Sequence, residues 1–210
     1  MKTADWSLWL VGGAALLVAN EVAGPRQYVL DSILYAQLRA VKRVGPRFPN
    51  YGRWYSEYRR ALEERGWIVT RSNSDHEARS EGRPPTPEFT SHSGLLARHP
   101  ALSGLLGAAS ARLMLEDAQQ HLRSFNLAGI DQASVAVHEL GVVLPDCSLA
   151  LSGLACSEDG IDLRESDAVL SEHLTEAVQQ QVHGLLESKH LAVHIRSLGG
   201  LDARREHAKS

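Results

Sequence analysis

Leu30, Ile33, Leu34, Leu38 and Val41 recur at the three-and-four spacing that lines one side of an α-helix, so this stretch predicts a helix with that side against a core. Gly45 can take the left-handed conformation and Pro46 cannot continue the helix, which together mark its end. Asn50 is placed to cap a second helix, in which Trp54, Tyr55, Tyr58, Ala61 and Leu62 share one broad face before Gly66 closes it. Trp67-Ile68-Val69 then reads as a buried strand. With Arg53, Arg59 and Arg60 nearby, the rings of Trp54, Tyr55 and Tyr58 also have the makings of a stacking platform for bases or sugars. Their sharing of a face with Leu62 favours the core instead, where each ring withdraws about 150–250 Å² from water.

The remaining pattern is taken in chain order. Trp6 to Val11 and Ala14 to Ala19 flank Gly12-Gly13, the signature of a tight hairpin. This apolar run of about 14 residues is short of the roughly 20 that a membrane-spanning helix needs. Lys2 ahead of it also fits a signal peptide, although Asp5 weakens the positive start; the hairpin is the preferred reading. Thr70 to Ser93 is polar, contains Pro84-Pro85-Thr86-Pro87 and predicts a mobile surface loop. Ser93 to Phe125 returns to helical spacing, with a break at Pro100 and with Leu102, Leu105, Leu106, Ala109 and Leu113 on one face. From Ala133 to Cys156 the period becomes two, which predicts a pair of antiparallel strands turning at Pro145-Asp146. Ser157 to Gly160 reads as a loop. Ser166 or Asp167 is placed to cap a long helix striped by Leu170, Leu174, Val178, Val182, Leu185 and Leu186. Leu191, Val193 and Ile195 alternate with polar neighbours as a last strand. The expected fold is a single α+β domain over residues 1–198, a mainly antiparallel sheet packed against amphipathic helices, with a polar tail over 199–210.

Composition adds that the chain fits one domain: 210 residues, net charge −3 and a pI near 6.4. That charge gives no global attraction to nucleic acid or to an anionic membrane. Its distribution is uneven. Between Ala36 and Gly66, eight cations (Arg39, Lys42, Arg43, Arg47, Arg53, Arg59, Arg60, Arg65) face Glu57, Glu63 and Glu64. Between Glu158 and Glu176, seven acids (Glu158, Asp159, Asp162, Glu165, Asp167, Glu172, Glu176) face Arg164 alone. Such stretches either form solvated faces, pair within the fold, or steer one copy onto another. The candidate contact residues are Arg39, Arg43, Arg53, Arg59 and Arg60 on one side, and Glu158, Asp159, Asp162 and Glu165 on the other. Cys147 and Cys156 are too few for a disulfide framework and are expected as free thiols of a cytoplasmic protein, or of an exported one if the first ~19 residues are a signal peptide.

Motifs that carry chemistry are missing: there is no GxSxG elbow, P-loop, GxGxxG or HExxH. His138-Glu139 lacks the second histidine of a zinc helix, since position 142 is Val142. His190 and His194 on a strand would stand about 13 Å apart, too far to share a metal ion. His173 and His183 fall out of register on one helix, and Glu158, Asp159 and Asp162 lack the order of a calcium loop. No cofactor, metal or catalytic residue is expected. If a site forms only in three dimensions, making the chain an enzyme or small-ligand binder, Tyr58, His138, His190 and His194 are the first candidates.

Asp31-Ser-Ile-Leu-Tyr-Ala-Gln-Leu38, followed by Trp54-Tyr55, Tyr58, Leu62 and Gly66-Trp67, together with the segment from Leu174 to Leu198, resembles a family of uncharacterised, mostly bacterial proteins. The resemblance implies one α+β domain and lends no catalytic residues. The functional expectation is a non-enzymatic structural or interaction protein that assembles with itself or a protein partner, with no nucleic acid and no membrane span.

Overall fold

The computed structural model describes residues 6–22, 24–47, 50–78, 93–126, 136–156, 160–171 and 176–201. Gly12, at φ +56, turns β1 (Trp6–Val11) into β2 (Ala14–Ala19), and the hairpin expected from the glycine pair forms in register from Trp6 opposite Ala19 to Val11 opposite Ala14. Helices α1 (Arg26–Val44) and α2 (Tyr51–Glu63) follow, and Gly45 at φ +97 closes α1 with its N–H on the Val41 carbonyl. Strand β3 (Trp67–Ala78) comes next, then α3 (Ser93–Arg98), a single 3₁₀ turn at Pro100–Leu102, α4 (Ser103–Leu113) and α5 (Glu116–Asn126). The chain continues as β4 (Ala136–Val143), β5 (Ser148–Cys156), β6 (Gly160–Leu170), α6 (Glu176–Ser188) and β7 (Ile195–Leu201).

Among the described residues the strands form one seven-stranded sheet in the order β3-β6-β5-β4-β2-β1-β7. Only β2 and β4 run parallel; every other neighbouring pair is antiparallel, so the fold is α+β as the sequence predicts. Successive strand residues point to opposite faces, and both faces are covered. On one, α1 and α2 pack: Tyr55 shares a hydrogen bond with Ser166, the Trp67 indole donates to Ser32, and Arg26 stacks over Trp9. On the other, α3 to α5 pack, with Arg98 of α3 reaching Glu165. Strand β2 is consequently buried along its whole length, as its uninterrupted apolar sequence requires. Helix α6 lies outside this sandwich, against α1.

Gln37 joins the first helix to the hairpin. Fully buried, it accepts a hydrogen bond from the Gly13 N–H at 2.9 Å and donates to the Val11 carbonyl at 3.1 Å. Gly12 is forced twice over, by its left-handed φ and because a Cβ there would stand 2.2 Å from the Gln37 Oε1.

Three predicted elements differ. The strand read at Trp67-Ile68-Val69 is longer: it runs for 12 residues along one edge of the sheet, through the polar stretch expected to be a loop. Residues 79–92 of that stretch are outside the described residues. Strand β6 takes up Ser166, Asp167 and Leu170, predicted to begin a helix, because pairing with β3 and β5 outweighs a local capping signal; α6 begins only at Glu176. The last strand starts at Ile195, after a 3₁₀ turn at Ala192–His194, and its pairing with β1 carries it through the glycines assigned to the tail. The short alternation at Leu191 and Val193 was too brief to fix a period.

Replacing Gln37 with Leu leaves the Gly13 N–H and the Val11 carbonyl buried without partners. Gln37→Leu is expected to lower the unfolding free energy by about 1–3 kcal/mol for each abandoned group, read by urea denaturation.

Candidate functional site

Apart from the buried Arg47, the basic stretch lies largely on the outer sides of α1 and α2, and part of its charge is shared with nearby acids. Arg39 meets Glu64 at 2.8 Å, while Arg60 lies 3.7 Å from Glu64 and 4.0 Å from Glu57. Arg59 is half-buried near Tyr55. Arg43 and Arg53 are exposed and make no ion pair among the described residues.

The acidic stretch behaves differently because it is a strand under a helix. Glu158 and Asp159 are outside the described residues, and Asp162 is half-buried and engaged within the chain. Glu165, predicted as an exposed contact, is instead 3 % exposed. Arg98 reaches it at 3.0 Å and Arg71 at 3.7 Å, and the same two guanidinium groups approach Asp167 at 3.4 and 3.8 Å. Gly94 gives it room, since a Cβ there would stand 2.2 Å from the Glu165 Oε1. The pairing within the fold that the sequence left open is therefore realised at Glu165 and Asp167, which closes Glu165 to an outside partner.

Beneath α2, the opposite face of the sheet holds a second enclosed charge pair that the sequence did not single out. Glu139 of β4 lies 3.4 Å from Arg47, and both are almost fully buried. The Arg47 guanidinium stacks 4.3 Å over the Trp54 ring, and Trp54 stacks in turn on Tyr58 at 5.2 Å. Burial raises the Glu139 carboxyl above the ordinary range, while Arg47 and then Tyr58 pull it back. The Tyr58 hydroxyl is close enough to act on that titration, yet both it and the Glu139 Oε1 lack a hydrogen bond of proper geometry. Burial keeps Tyr51, Tyr55 and Tyr58 neutral well beyond the usual phenol range. A glycine at 153 admits the Tyr51 hydroxyl, which a Cβ would meet at 2.3 Å.

The four residues named as first candidates for a three-dimensional site do not converge among the described side chains. Tyr58 sits in the Glu139 cluster, His190 is exposed at the end of α6 with φ +55, and His194 packs edge-on against Phe125 with its carbonyl 3.1 Å from the His121 Nε2. The His138 side chain is outside the described set. His183, which by its sequence spacing is out of register with His173 for a shared metal ion, has the defined partner: its Nδ1 on α6 lies 2.8 Å from Asp31 of α1, and its Nε2 lies 3.3 Å from Glu187. The hydrogen bond to Asp31 raises the His183 imidazole above the ordinary histidine value, and burial raises Asp31 itself.

Two sheet edges remain. Beside β7, a cleft of about 390 Å³ is lined by Arg112, Leu115, Asp117, Arg196 and Gly199, and is crossed by the Arg196–Asp117 ion pair at 3.0 Å. The outer side of β3 pairs with no other strand among the described residues, and Arg71 to Asp75 are exposed along it. Assigned to a loop by their polarity, these residues carry no alternation of apolar with polar positions, and it is pairing with β6 that makes them a strand. Among the described residues no group of three or more His, Cys, Asp or Glu is placed to hold a metal ion, and no helix is long and apolar enough to cross a membrane. Compared with known protein families, functionally described proteins and solved structures, the chain matches none.

Removing one member of the Arg47–Glu139 pair strands the other in the core. Glu139→Gln is expected to cost about 3–5 kcal/mol of stability, and the combined Arg47→Met, Glu139→Leu variant less than either single change, measured by a denaturation cycle. The His183 contact predicts a pH dependence. A histidine more basic folded than unfolded stabilises the fold below its unfolded value near 6.5 and loses that contribution as pH rises through the folded value. The thermal midpoint of the wild type over His183→Gln should therefore be highest near pH 6 and should narrow toward about pH 9.

Proposed function

We propose that this protein acts by association, as a structural or interaction protein joining copies of itself or a protein partner, and not by catalysis. The observation that carries this reading is the open edge of β3, a 12-residue strand whose outer backbone groups have no strand partner among the described residues. An unpaired strand is a template for another chain, and the charged side chains along it favour partners of matching pattern over indiscriminate aggregation. The exposed cations Arg43 and Arg53 on the neighbouring helices supply the charge that steers such an encounter.

A second reading, small-ligand binding, is favoured by the buried polar atoms of Arg47, Trp54, Tyr58 and Glu139 that lack hydrogen-bond partners, because a bound polar molecule would satisfy them. A small polar compound that raises the thermal midpoint of the wild type but not of Tyr58→Phe would put this reading first.

The association reading is tested by light scattering on a sizing column. At low salt the expected result is a species larger than the 23.0 kDa chain. At high salt that species should shrink, since exposed charge pairs are screened beyond about 10 Å at 0.1 M. A 23.0 kDa particle at both salts would rule out self-assembly.

A further inference from the structure

We infer that the partner is a second copy of this chain, docked along the outer side of β3 as an antiparallel strand with the two-fold axis at Asn73. The inference rests on the association reading above and names its partner and its register.

The sequence of β3 is self-complementary about Asn73. When two copies of Trp67–Ala78 run antiparallel with Asn73 opposite Asn73, Arg71 of each stands opposite Asp75 of the other, and Ser72 stands opposite Ser74. One contact therefore occurs twice, as an isologous two-fold interface requires. Arg71, Asn73 and Asp75 lie on one face of the strand by its period of two, all three are exposed, and directly opposed side chains across an antiparallel pair have Cβ atoms about 4.5–5.5 Å apart. That spacing is within reach of an arginine and an aspartate.

Arg71 and Asp75 also interact within their own chain, Arg71 with Glu165 and Asp167 at the long separations of 3.7 and 3.8 Å. With 44 % of its side chain exposed, Arg71 can add a carboxylate from outside without leaving those two. A shift of register by one residue would set Arg71 opposite Ser74 or His76 and Asp75 opposite Thr70 or Ser72, breaking both charge pairs, so the pattern specifies one alignment.

The other edge of the sheet is a poorer template. The pairing of β7 with β1 changes register between Leu8 and Trp9, and Gly199 takes φ +92, so the strand is bent, while Arg112 donates a hydrogen bond to the Leu198 carbonyl. Strand β3 also has a register shift, but it falls between Val69 and Arg71, ahead of the self-complementary stretch.

The experiment is light scattering of the full chain across a concentration series, with four variants, and with circular dichroism to show that each is folded. Wild type is expected as a dimer, twice 23.0 kDa. Arg71→Asp and Asp75→Arg each place like charges opposite one another and should each weaken the dimer at least tenfold. Mixed together, these two single variants face opposite charges at both positions and should form a heterodimer. The double exchange, Arg71→Asp with Asp75→Arg, should dimerise as the wild type does. Asn73→Lys puts two ammonium groups on the axis and, although Asn73 stands opposite Glu165 across the β3–β6 pair, keeps Arg71 in place beside that carboxylate, so it weakens the dimer even if the Arg71 variants fold poorly. A wild-type dimer unchanged in Asn73→Lys and Asp75→Arg overturns the β3 pairing and leaves association through another surface standing. A wild-type monomer at every concentration and salt overturns the pairing and self-assembly together.

Discussion

A sheet covered on both faces leaves its central strands out of reach of water, so each polar side chain on them must find its partner inside the protein. Both buried charge clusters follow from that constraint. Glu139 faces α2 and is met by Arg47, and Glu165 faces α3 and is met by Arg98 and Arg71. The two sit on opposite sides of the same sheet, and each binds a helix to it at a defined place. Buried pairs of this kind add little net stability over an apolar core, but losing one partner is costly, so they fix where a helix docks more than how strongly.

The same constraint changes the meaning of the uneven charge. As a linear pattern the chain has a basic stretch and an acidic one. In the fold, Glu165 and Asp167 are neutralised by arginines from β3 and α3, and Arg39 and Arg60 lean on acids of α2 or the residue just after it. What remains outside includes Lys42, Arg43 and Arg53 on the helices and the exposed polar edge of β3, where Arg71 keeps part of its side chain in solvent. The surface with most to offer a partner is thus an edge whose backbone is open and whose side chains are polar, a combination that favours specific pairing over aggregation.

Gln37 illustrates how sequence and structure divide the explanation. Its place beside Ala36 and Leu38 marks the inward side of α1, but nothing in the sequence shows that it faces the turn of a hairpin more than 20 residues upstream. The same holds for Glu139. Its neighbour His138 drew attention for a metal motif, while the carboxylate proved to be the buried partner of an arginine placed between α1 and α2.

The sequence by itself determined the elements whose apolar spacing is long and whose ends are marked by glycine or proline: the N-terminal hairpin, α1, α2, the helices around Pro100 and the strand pair at Pro145-Asp146. Those signals are local, because side-chain period and backbone conformation act within a few residues. Tertiary structure alone decided that polar Arg71 to Ala78 and the acidic stretch Gly160 to Leu170 are paired strands, that β2 runs parallel to β4, and that Arg47 meets Glu139. A strand is stabilised by a neighbour distant in sequence, and β3 and β6 show local polarity where pairing prevails. The acids of β6 could enter the sheet because arginines from two other elements converge on them, and that convergence exists only once the chain has folded.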